Sequence, residues 1–65
     1  MKVYERHEVE ILFKHNDPKE KENATNKRDE LIKEGYSVRM ELLEPLDPEE
    51  TTGIIILNKF TYPVK

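Results

Sequence analysis

A chain of 65 residues has room for one small domain, and a domain of this size buries only about 60% of its unfolded surface. It contains no cysteine, which excludes disulfides, thiolate nucleophiles and Cys-based zinc sites. Charged residues make up 38% of it, and 11 Lys and Arg against 14 Asp and Glu give a formal net charge of -3, which favours solubility and disfavours general phosphate-backbone binding.

The hydrophobic fraction is 35%, but it is gathered in three blocks, the pattern of a folded domain rather than a disordered tail. In the first block Val9, Ile11 and Phe13 alternate with Glu8, Glu10 and Leu12 at the period of a half-buried strand. This predicts a strand, β1, over about residues 3–14. Continuing its inward face backwards meets His7 and Glu5, so an exposed start or a bulge is expected near Arg6.

Asp17, Pro18 and Glu20 have the form of a helix start, with a capping oxygen, a proline whose φ is already set, and an acid three residues after the cap. A rival start lies near Lys27, with Asn26 as cap, because only Ala24 is apolar in the intervening stretch. The predicted helix, α1, covers about residues 18–34 and stops at Gly35, after Leu31, Ile32 and Lys33. Ala24, Arg28 and Leu31 fall at four- and three-residue steps, so a narrow stripe faces the sheet with Arg28 adding its alkyl stem.

The second block, about 36–43, alternates Tyr36, Val38, Met40 and Leu42 with Ser37, Arg39, Glu41 and Leu43, and is predicted as β2. Residues 44–53 hold two prolines and a glycine and read as a loop. The continuous run Ile54-Ile55-Ile56-Leu57 opens β3, predicted over about 54–62, where burial on both faces is implied. Pro63 then ends the strand, leaving Val64 and Lys65 as a short tail.

The order βαββ defines an α+β fold. The crossover through α1 makes β1 and β2 parallel, and the most apolar strand belongs in the middle, so the expected sheet order is 1-3-2 with β3 antiparallel to both neighbours and one helix on one face. The expected core is Val9, Ile11, Phe13, Leu31, Ile32, Val38, Met40, Ile54, Ile56 and Phe60, with Tyr36 at its margin. The opposite face then carries Leu12, Leu43, Ile55 and Leu57 beside Glu8, Glu10, Arg39 and Lys59, with nothing to cover it. Large apolar patches on monomers usually mark a binding site. A second copy of the chain is the first occupant to consider, and the alternative is that long charged side chains cover the patch in a soluble monomer.

No catalytic, cofactor or metal motif is present. His7 and His15 lie eight residues apart along one extended stretch, ~27 Å by strand rise, too far for one ion. Glu8 and Glu10 share a side of β1, but carboxylates on an exposed strand face are ordinarily solvated or paired with groups such as Arg39 and Lys59. Residues 41–50 hold Glu41, Glu44, Asp47, Glu49 and Glu50 and no base, so the rest of the chain carries +2 against the total of -3. Glu44, Asp47, Glu49 and Glu50 form an acidic loop suited to a basic surface, or simply to solvation.

The stretch after Met1 lacks the apolar core of a signal peptide, no run approaches the ~20 apolar residues of a membrane span, and the triplet Asn23-Ala24-Thr25 is then no glycosylation signal, so a cytoplasmic setting is expected. Three functions follow in order: a non-enzymatic interaction or regulatory protein acting through the open face and the acidic loop; a nucleic-acid binder using Tyr4, Tyr62, Arg39 and Lys59; and a small oligomeric enzyme using Glu8, Glu10 and His7. The third is disfavoured because a sheet and one helix offer no deep pocket of the ~300 Å³ a ligand site needs.

Overall fold

The structure, a computed structural model, describes residues 3–61. The elements are β1 (Glu5–Lys14), α1 (Pro18–Lys33), β2 (Ser37–Leu42) and β3 (Thr52–Thr61). The sheet order is β1-β3-β2, with β3 antiparallel to both neighbours and the helix packed on one face, the α+β arrangement expected. Residue 62, the expected end of β3, and the tail 63–65 lie outside the described residues.

The helix begins at Pro18 and not near Lys27. Asp17 Oδ1 accepts hydrogen bonds from Lys19 N at 3.0 Å and Glu20 N at 3.2 Å, satisfying two of the four amides that a helix start leaves without partners. Glu20 does not complete a capping box on Asp17. Its Oε1 instead accepts from Lys14 N at 3.1 Å, tying the first turn to the end of β1. At the other end Gly35 adopts φ 102°, Tyr36 N donates to Leu31 O and Gly35 N donates to Ile32 O, both at 3.0 Å, the paired closure that needs a left-handed residue.

Phe13, Ala24, Leu31, Ile55 and Leu57 are buried, with Val9, Ile11, Tyr36 and Leu43 packed against them. The β1–β3 register explains this set: Val9 lies opposite Leu57, Ile11 opposite Ile55, and Phe13 opposite Gly53. Directly opposed residues share a face, so β1 carries Ile55 and Leu57 to the helix side.

This corrects the expected faces. Ile55 and Leu57, expected on the open face, are each 0% exposed and form the centre of the core. Ile54 and Ile56, expected inside, face away from the helix. Leu43 belongs to the core margin, and Lys59 lies on the helix side, its Nζ 5.7 Å from the centre of the Tyr36 ring. Ile32 and Phe60, also expected inside, are exposed.

In β2 the alternation breaks. Val38 pairs with Leu57 but Met40 pairs with Ile56, a shift of one residue that marks a bulge. Tyr36 and Val38 therefore face the helix side while Met40 and Leu42 turn to the other. Glu41 returns to the helix side, where its Oε1 accepts from Arg28 Nη1 at 2.6 Å. This bond, and then the one to Asp29 at 3.1 Å, holds the Arg28 guanidinium above its ordinary pKa.

The molecule is thin. Its Cα extents are 49 × 21 × 10 Å and its radius of gyration is 14.4 Å, against about 11 Å for a compact chain of this length.

Candidate interaction surface

The rows of the sheet facing away from the helix follow from the register. Leu12, Ile54 and Leu42 form one row, and Glu10, Ile56 and Met40 the next. Beyond these come Glu8 beside Asn58, then Arg6 beside Phe60. Leu12 is 59% exposed and Met40 44%, and Leu42 and Phe60 are exposed as well, while Ile54 and Ile56 between them on the central strand are half-buried.

The charged groups come from the two outer strands, and one pair bridges the middle one. Arg39 Nη1 donates to Glu8 Oε1 at 2.8 Å across the central strand, and Asn58, with its amide nitrogen turned toward Glu8, donates to the same oxygen at 3.1 Å. At the far end Tyr4 packs on Phe60, the ring centres 5.7 Å apart and tilted by 56°. Glu10 makes no ion pair or hydrogen bond with its side chain, so one carboxylate stands unpaired beside the apolar rows.

Of the residues singled out for partner binding, Leu12 and Arg39 are on this face, whereas Leu43, Ile55, Leu57 and Lys59 are not. Met40, Leu42, Ile54, Ile56 and Phe60 take their place. Two parity signals were missing from the sequence: the Ile-Ile-Ile-Leu run reads equally well in either register, and a bulge leaves no mark in an otherwise regular alternation.

The acidic loop leaves the sheet at the Leu42 end and returns at Thr52. Most of its carboxylates are engaged locally. Asp47 Oδ1 accepts from Glu49 N at 2.9 Å, Glu50 Oε1 accepts from Thr51 N at 3.0 Å and Thr52 N at 3.1 Å, and Glu44 pairs with Lys21 at 3.3 Å. Glu49 is left free in its side chain, next to a turn that holds Leu46 at 94% exposure.

The residues of the other two hypotheses do not converge. Lys59 lies on the helix side and Arg39 on the open side, and Tyr62 is outside the described residues. His7 faces away from Glu8 and Glu10, with its Nε2 3.7 Å from Glu5. A depression of about 420 Å³ is present, wide open rather than deep and lined by Lys14, Asn16, Asp17, Pro18 and Thr51, with Asp17 committed to the helix cap. Among the described residues no group of three His, Asp or Glu is placed to hold a metal, and no helix is long and apolar enough to cross a membrane.

Comparison with protein-family models, curated proteins and solved structures found no match to this chain.

Proposed function

We propose that this chain is a non-enzymatic protein-binding module, accessory or regulatory in kind, whose working surface is the sheet face turned away from α1. The observation that carries this reading is the apolar cluster of exposed Leu12, Met40 and Leu42 around half-buried Ile54 and Ile56, bordered by Glu8, Glu10 and Arg39 and covered by no element among the described residues. An apolar centre with a charged margin is the anatomy of a protein interface.

Site-specific photo-crosslinking in the protein's native cells tests the reading. A benzoyl-phenylalanine residue in place of Leu12 or of Met40 gives adducts of discrete mass with another polypeptide, while the same probe at Glu22 or Glu30, on the solvent side of the helix, gives none. Absence of adducts from the sheet positions, or equal yield from the helix positions, refutes it.

A further inference from the structure

We propose that the free edge of β1 accepts an extended segment of a partner protein as a fourth, antiparallel strand. This goes beyond the reading above, because its contacts are main-chain groups at the edge and it holds whatever lies on the open face.

The backbone supplies the site. His15 N donates to Thr51 O at 3.0 Å, continuing the β1–β3 register, so the odd-numbered residues of β1 direct their amides and carbonyls to β3. The even-numbered ones direct theirs outward. Lys14 follows this rule, since its N donates to Glu20 Oε1 at 3.1 Å and its carbonyl accepts from Asp17 N at 3.1 Å. Those two bonds close the edge at Lys14. Farther along, the outward amides and carbonyls of Arg6, Glu8, Glu10 and Leu12 have no partner among the described residues, and all four residues are exposed.

The other edge differs. β2 has six residues, and its bulge interrupts the outward row, a device that blunts edges. β1 has ten residues in unbroken register, with no proline and no lysine before Lys14. An added strand uses an edge of this kind, drawing affinity from main-chain bonds and selection from alternate side chains.

The side chains state the partner's chemistry, because directly opposed residues share a face. On the open face Glu8 is already bound by Arg39, while Arg6 and Glu10 make no ion pair among the described residues. On the helix side Val9 and Ile11 are half-buried, and an added strand completes their cover. In its own N-to-C direction, the incoming segment therefore carries apolar residues against Leu12 and Ile11, Lys or Arg against Glu10, an apolar residue against Val9, and Asp or Glu against Arg6.

The test titrates a capped peptide, Thr-Leu-Val-Lys-Val-Thr-Thr-Glu-Thr, into isotope-labelled protein and reads amide hydrogen exchange by NMR. In the free protein the amides of Glu8, Glu10 and Leu12 exchange fast and those of Val9 and Ile11 slowly, and the peptide slows the outward set. A peptide with its Lys and Glu exchanged binds about tenfold more weakly, since two opposed pairs turn from attraction to repulsion. The double variant Arg6→Glu with Glu10→Lys reverses that preference. Glu10→Pro, which removes an outward N–H only, keeps the fold and loses the peptide.

Should Glu10→Pro fail to fold, the charge exchange still decides. Outward amides already slow in the free protein overturn the proposal, as do an absence of protection at millimolar peptide or equal affinity for the two peptides. The crosslinks from Leu12 and Met40 report on the open face separately, so either reading can fall while the other stands.

Discussion

Gly53 lies directly opposite Phe13 on the helix side of the sheet, and the aromatic ring rests on the glycine backbone. A Cβ at position 53 would overlap that ring, with Cε2 at 2.6 Å, Cε1 at 3.0 Å and Cζ nearer still, where ordinary carbon contacts begin near 3.5 Å. The backbone itself is not the obstacle, since among the described residues only Gly35 has positive φ. Gly53→Ala therefore sets two effects against each other. Restricting the unfolded chain stabilises by about 0.4–1 kcal/mol, and overpacking a filled core costs about 1–3 kcal/mol. Because Phe13 is itself buried and cannot swing into open space, overpacking wins, for a net loss of about 1–2 kcal/mol. A chain of this length has roughly 3–10 kcal/mol in all, so thermal unfolding followed by circular dichroism should fall by roughly 5–15 °C. Urea titration should show a lower midpoint with an unchanged slope. In a Phe13→Leu background the smaller side chain frees the space, and the same Gly53→Ala change becomes neutral or stabilising. Equal or greater stability of Gly53→Ala with Phe13 in place would refute the packing argument.

Asp17→Ala removes the one oxygen that accepts from both amides at the start of α1 and should lower stability by about 1 kcal/mol in urea titration, with Asp17→Asn recovering most of it. Ile55→Ala opens a cavity in the middle of the core and should cost about 2–5 kcal/mol by the same measurement. Ile54→Ala, at the adjoining position but half-buried on the open face, should cost clearly less, and equal costs would contradict the assigned register.

The element order was legible because each boundary carries its own chemistry. Asp17 and Pro18 start the helix although the next two turns hold almost nothing apolar, since the cap and the preset φ act locally. Gly35 stops it for an equally local reason. The 1-3-2 strand order followed from placing the most apolar run where a strand has neighbours on both sides. The faces of β2 and β3 were not legible, because they depend on relations between distant residues. Nothing within 54–57 distinguishes the two parities. What sets them is the seating of the Phe13 ring on Gly53, a contact made across forty positions of sequence. The β2 bulge has the same character, since Val38 and Met40 look like members of one regular alternation until each is paired with β3. Of the candidate surface, its existence and the positions of Leu12 and Arg39 could be read from the chain, while its apolar membership could not.

The thin core and the apolar open face have one cause. Only Ala24 and Leu31 of α1 are buried, so the helix can seal little more than the width of Ile55 and Leu57. Without the bulge, Met40 and Leu42 would follow Val38 onto the helix side, where Glu41 and Leu43 now sit and where Val38 itself is already exposed. The bulge moves these two residues to the far face beside Ile54 and Ile56, where Arg39 already reaches Glu8. It also frees the helix side for Glu41, whose bond to Arg28 fastens the helix to β2. The inserted residue thus closes one face with an ion pair and concentrates apolar area on the other. A sheet built this way has more to gain from covering its open face than from enlarging its helix side, because the residues that would enlarge the core already point the other way.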